Sequence, residues 1–410
     1  MKDYIRFFRV EPRFLAFGFV LTLFSSFGQT FFISLFGQHL EVEFDLTKTQ
    51  YGLTYSLATL CSGLTIIQIG RRIDTTDLRK FTMMLCLGVC FACVLMANAH
   101  HVMTLGIAFF CLRLFGQGLL SHTSMTSMSR YFTVRRGKAM SIASLGFPAG
   151  EAIFPTLVVL SIWEFSWRDT WMFAAIAVAC VLIPSVLMLL RGHDTRHQAY
   201  LDSVQSGIDT ISHKTTGKQW TRNEVMRDPR FFLLLPAVIA PGFIVTGVFF
   251  HHGSLLELKH WTQEWYAGSF VVFAGAQVIT SLIAGPLVDR FGARSLVKLF
   301  LVPLALSLVA IAMIDLPIGT RLFLGLFGVT AGLNGPVVGA MWAELYGTKH
   351  LGAIRALATA IMVFGTAGSP VLFGALLDQH ITMETIAWGC CVYTCAAMAL
   401  STVALQLRQM

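Results

Sequence analysis

Charge is what this sequence has least of. Only 13% of its 410 residues are Asp, Glu, Lys or Arg, about half the roughly 25% found in soluble domains. Most of the chain therefore cannot face water. Also missing are metal-spaced His/Glu clusters, paired catalytic carboxylates and a nucleophile motif on one face, which argues against an enzyme. No Gly-x-x-x-x-Gly-Lys-Ser/Thr loop occurs, which argues against direct ATP hydrolysis, and no cofactor is implied. The nine cysteines all lie in apolar stretches. Cys86, Cys90 and Cys93 share a helical face but have no neighbouring His or carboxylate. They read as small buried hydrophobes, and the set offers no disulfide framework.

What is present is apolar. Hydrophobic residues make up 55% of the chain, with 34 Phe, and mean hydropathy is +0.68. A bilayer core needs about 20 apolar residues per helix. Twelve segments meet that requirement, approximately 14–38, 50–70, 80–98, 102–129, 138–162, 168–190, 231–256, 264–288, 295–314, 319–342, 352–377 and 384–407. Lys2, Arg6, Arg9 and Arg13 precede the first, whose apolar run of about 25 residues is too long for a cleavable signal. Residues 191–230 lack a long apolar run and divide the chain into a first six-helix half (1–190), a linker (191–230) and a second half (231–410).

Lys and Arg fix an orientation. With the N-terminus inside, 25 of the 30 fall on the inner side and four, Lys48, Arg168, Lys259 and Arg321, on the outer side. This positive-inside pattern predicts a multi-pass inner-membrane protein with both termini cytoplasmic. The net charge of +8 is then a topology device and not a nucleic-acid surface.

The halves repeat. At a constant offset of 215 residues Gly70 falls on Gly285, Asp74 on Asp289, Arg79 on Arg294, Tyr131 on Tyr346, Thr133 on Thr348, Gly137 on Gly352, Gly150 on Gly365 and Pro155 on Pro370. Six segments separate equivalent positions, so the repeat is parallel and implies two six-helix bundles related by a pseudo-twofold axis along the membrane normal. The loop Gly285-Pro-Leu-Val-Asp289-Arg290-Phe-Gly292-Ala-Arg294 resembles the G-x-x-x-D-R-x-G-R-R/K signature of the major facilitator superfamily, departing only at Ala293. Its first copy, Gly70 to Arg79, keeps the Gly, the Asp and the last Arg. The stretch Tyr131-Phe132, Arg135-Arg136-Gly137-Lys138-Ala139, Gly146, Gly150 and Pro155 is similar to the monocarboxylate and oxalate/formate branch. Those relatives are expected to place basic residues in helix 1, 8 or 11. Segments 1 and 8 have none, while Arg355 opens segment 11.

The resemblance implies a monomeric, all-α secondary transporter working by alternating access. Segments 1, 4, 7 and 10 would line its cavity. Asp74 would cap segment 11 near Gly352 and Arg355, and Asp289 would cap segment 5 near Gly137 and Lys138. With Gly70, Arg79, Gly285, Arg290, Gly292 and Arg294, these form the expected gating set. Gly146, Gly150, Gly365 and Gly368 with Pro148, Pro155 and Pro370 mark segments 5 and 11 as either bent and mobile or closely packed.

A charge at membrane depth costs about 2.5–3.5 kcal/mol and needs a reason. Arg113 and Glu151 both fall near the midplane, either as a structural ion pair or as the transport site. Arg113, Gln117, Ser121 and Ser124 share a helical stripe. Gln29, Gln277 and Asn334 are further substrate-binding candidates. Glu151 and His251 are candidates for proton coupling, although His251 and His252 also fit a wetted helix end. The predicted cargo is a small organic anion moved with protons or another coupling ion. The alternative is a proton-driven exporter of amphipathic or cationic compounds. A sensor that kept the transporter fold is a third reading.

Overall fold

The computed structural model describes residues 11–74, 76–132, 136–198, 219–347 and 349–407, without the side chains of Arg71, Asp74 and Arg136. Lys2, Arg6, Arg9, Thr133, Arg135, Thr348, the Asp74 carboxylate and linker residues 199–218 lie outside that set.

In hydrocarbon a backbone must satisfy its own polar groups, and a helix does so within one segment. The described residues accordingly form helices. Eleven are long and apolar enough to span a bilayer: α1 Pro12–Ser34, α2 Lys48–Ile69, α3 Leu78–Ala97, α4 Val102–Tyr131, α5 Gly137–Glu164, α6 Trp167–Leu189, α7 Pro229–Phe250, α8 Gln263–Phe291, α10 Ile318–Tyr346, α11 Leu351–Asp378 and α12 Met383–Gln406. The ninth, α9, is a shorter apolar helix, Val302–Met313. The expected segment 295–314 begins at the end of a short helix, Ala293–Leu296, winds through turns over residues 297–301, and is helical again from Val302, with Pro303 in the first turn.

The ends follow local chemistry. Asp77 caps α3 by accepting from the amides of Arg79 and Lys80 at 3.0 and 3.1 Å, and Asp228 caps α7 with Pro229 in the first turn. Such side chains satisfy donors that a helix start leaves over. The helices α8 and α10 stop at Gly292 (φ +75°) and Gly347 (φ +82°), a conformation open to glycine at no steric cost.

Contacts group the chain into two compact units. The first holds residues 1–33, 61–150 and 160–214, the second 34–60, 151–159 and 215–410. In the first, α1 is the hub. A Cβ on Gly146 would overlap Thr22, and one on Gly150 would overlap Ser26. The Thr22 hydroxyl donates to the Ala143 carbonyl at 2.5 Å, and Ser124 donates to Gly18 at 2.7 Å. Small residues let membrane helices approach this closely where no hydrophobic force drives them together.

In the second unit a Cβ on Gly328 would overlap the Phe273 carbonyl, and the Phe273 and Phe327 rings stack at 5.4 Å, joining α8 to α10. Ser369 on α11 donates to the Phe243 carbonyl on α7 at 2.5 Å. The described end of the linker returns to this unit. The Trp220 amide donates to the Tyr346 carbonyl at 3.0 Å, and the two rings meet edge to face.

Candidate functional site

Two irregularities meet inside the first unit. The α-helix of α1 ends at Phe24, passes through a 3-10 turn, Ser25–Gly28, and breaks at Gln29, whose backbone is extended (φ −78°, ψ 151°). Opposite it, α4 is α-helical to Cys111, widens into a π-helix over Leu112–Leu120, and returns to α-helix at Ser121. The pieces touch through glycine. A Cβ on Gly28 would overlap the backbone of Leu112 and Gln117, and one on Gly116 would come within 2.9 Å of the Gly28 nitrogen. Arg113 reaches across this contact and donates from Nη1 to the Gly28 carbonyl at 3.2 Å. Wide turns of this kind concentrate at functional sites.

Arg113 and Gln117 are both half-buried in the wide segment, whereas Ser124 is buried against α1. The predicted stripe therefore keeps Arg113 and Gln117 together and turns Ser124 to packing. Glu151 belongs to the other unit. Its Oε2 is buried with no hydrogen-bond partner among the described residues.

In the second unit a cavity of about 260 Å³ opens among α7, α10 and α11, lined by Asn334, Gly339, Trp342, Arg355, Thr359 and Met362 among others. Arg355 donates from Nη2 to the Gly339 carbonyl at 2.7 Å. A Cβ at 339 would come within 2.9 Å of that nitrogen, so the glycine makes room for the guanidinium. Asn334 offers a buried Oδ1 with no partner among the described residues, and Gln277 on α8 has a similar Oε1.

The signature loops differ. In the second copy the Ala293 and Arg294 amides donate to the Glu344 carboxylate at 2.7 and 3.2 Å, and Arg294 returns a bond from Nη2 to the Glu344 carbonyl at 2.6 Å. In the first copy Arg79 turns to the end of α6, donating to Leu190 at 3.0 Å and pairing with Asp194 at 3.0 Å. Arg130 instead holds that loop, through the Ile73 carbonyl. Asp289 and Arg290 are exposed, and Lys138 is half-buried. A Cβ on Gly70 would make ordinary contact with His122, and one on Gly285 would meet nothing.

His251 and His252 are not at a wetted end. They are 2% and 3% exposed, because the chain turns at His251 into a second short helix, His252–Lys259, packed beneath neighbouring segments. Sequence reasoning missed two acidic residues that organise these places, Glu344 and Asp378. Each is the lone carboxylate in the last turns of a long apolar helix.

The sequence matches the family model described as "Major Facilitator Superfamily" over residues 18–317 and 267–409. The chain belongs to that superfamily. Major Facilitator Superfamily membership makes it a multi-pass membrane transporter, and it accounts for the Gly285–Arg294 loop. Solved transporters share the fold. A structure of the nucleoside transporter NupG has a TM-score of 0.65 at 14% identity, covering 95% of this chain and 98% of that one. A bacterial homologue of the human lysosomal transporter Spinster, inward-facing and occupied, has a TM-score of 0.66 at 15% identity, covering 99% and 96%. No curated protein matches the sequence.

Proposed function

We propose that this transporter works by alternating access and moves a small organic anion, such as a monocarboxylate, coupled to protons, with both termini in the cytoplasm. The observation that carries the reading is the cavity in the second unit. Arg355 supplies a guanidinium that uses one of its five donors on Gly339 and keeps others for a carboxylate, to which its fork is matched. Asn334 supplies an unpartnered buried oxygen, and Trp342 supplies an apolar wall. A volume of about 260 Å³ lies just below the roughly 300–1,000 Å³ of drug-sized sites, which suits a small solute. Arg113, Gln117 and Gln29 of the first unit are further substrate contacts in this reading, and Glu151 exchanges the proton. The signature loop around Asp289 belongs to the gating machinery in this reading.

One observation favours a second reading, export of cationic or amphipathic compounds. The unpartnered Glu151 oxygen would serve a cation as well as a proton. Thermal unfolding of the purified protein with lactate, oxalate, benzoate or a panel of amines separates the two. A ligand at 100 times its Kd stabilises the native state by about 2.7 kcal/mol. Stabilisation by a carboxylate that is lost in Arg355→Ala supports the anion reading. Stabilisation by amines alone, lost in Glu151→Gln, replaces it with the exporter.

A further inference from the structure

At the end of the second unit assigned to the outside, four segments close on one another: the short helix Gly37–Glu43, the start of α2, the end of α7 and the last turns of α11. The Asp378 carboxylate accepts from the amides of Lys48 and Thr49 at 3.1 and 2.9 Å, satisfying donors that the start of α2 leaves over. A Cβ on Gly52 would overlap the Pro370 carbonyl, and one on Gly374 would overlap the Lys48 carbonyl. Tyr51 stacks on Phe250 at 4.3 Å.

His251 sits inside this closure. Its Nε2 lies 2.8 Å from the Pro370 carbonyl. A carbonyl only accepts, so Nε2 carries the hydrogen and Nδ1 presents a bare lone pair. That Nδ1 is buried and has no partner among the described residues. His251 also lines a cavity of about 10 Å³ with Gln38, Glu41, Lys48, His252 and Ser254, near the minimum for one water.

We propose that His251 is a proton-operated release for this closed outer end: uptake of a proton at Nδ1 makes a cation that the closed packing cannot hold, and α2 parts from α11. The inference rests on the alternating-access reading, since it supposes that this end opens. Lys48 and His252 face the ring and oppose the imidazolium, while Asp378 favours it. Glu41 is engaged by Lys48 at 2.5 Å and Glu257 by Gln38 at 2.9 Å. Burial, and with it Lys48, pushes His251, one residue beyond the end of α7, down to about 4. Once hydrated, the ring returns to about 6.5. The closed form thus binds the proton more weakly than the open one. Closure is fully favoured above about pH 6.5 and is lost as pH falls towards about 4. His252 is buried too, but its Nδ1 donates to Phe249 in its own turn and its ring stacks on Tyr266 at 4.7 Å, so it does not bridge α2 and α11.

Hydrogen–deuterium exchange of the purified full chain at about pH 7.5 and about pH 5, corrected for intrinsic rates, reads the Lys48 and Thr49 amides directly. Their exchange is expected to rise about 30-fold on acidification. His251→Gln, whose amide still donates to Pro370 without titrating, is expected to hold the rise below about 3-fold, while His252→Gln keeps it. His251→Asn repeats the test should the Gln variant not fold. A wild-type protein indifferent to pH, or a full rise in both His251 variants, overturns the proposal. Exchange is read without any solute, so failure of the carboxylate screen leaves this test standing, and the reverse also holds.

Discussion

Glu344 and Arg294 hold each other from both directions: the carboxylate accepts the Arg294 amide at 3.2 Å, and the guanidinium donates to the Glu344 carbonyl at 2.6 Å. With the Ala293 amide at 2.7 Å, one side chain of α10 fixes the loop after α8. Glu344→Ala removes the partners of two amides, of which Ala293 is buried. The variant is expected to lose about 1–2 kcal/mol of stability. It should exchange deuterium faster at residues 293 and 294 while α1 to α6 stay unchanged. Equal protection in wild type and variant would count against the anchor.

The α1–α4 contact predicts a contrast between glycines. Gly28→Ala forces a methyl group into the backbone of Leu112 and Gln117, where neither can step aside. Overpacking of this kind costs about 1–3 kcal/mol, seen as a lower melting temperature. Gly137→Ala in α5 meets nothing within 4 Å and is expected to gain about 0.5–1 kcal/mol from reduced chain entropy. Similar melting of the two variants would contradict the packing at Gly28.

His193, beyond the end of α6, predicts an acid sensitivity of the first unit. It is 1% exposed, stacks on Phe14 at 5.9 Å and meets Tyr131 at 5.0 Å. Burial, then Arg196 and His197, lowers it to about 4, so the folded unit prefers the neutral ring. Its contribution is complete above the unfolded value of about 6.5 and is lost as pH falls through the interval down to about 4. His193→Phe keeps the stacking without the titration. Its melting temperature is expected to fall less than that of the wild type over this interval.

The membrane architecture was legible because bilayer thickness imposes segment length and Lys and Arg mark the loops. Both are local properties of the chain. Gly292 entered the sequence reading only through its place in the signature loop; that it stops α8 at φ +75°, past the expected end of that segment at 288, came from the structure. The break at Gln29 was not legible, because Phe, Gly and Thr continue the apolar run through it. Nor was the wide turn of α4: Arg113 and Gln117, four residues apart, fall on nearly one face whether the helix is α or π. Glu344 and Asp378 escaped because each acts on a segment far along the chain, Asp378 on amides some 330 positions away. Register across such distances is set by close contacts such as Gly52 against Pro370, which no local pattern records.

The wide turn of α4 also stores a rotation. Each α-helical residue advances about 100° around the axis, and a π segment holds an extra residue relative to the α-helix it interrupts. Passing that extra residue from one end of Leu112–Leu120 to the other would turn the residues between, Arg113 and Gln117 included, by about a quarter-turn, with α4 itself hardly displaced. A screw motion within one helix could then present or withdraw a positive charge while both ends of that helix stay fixed.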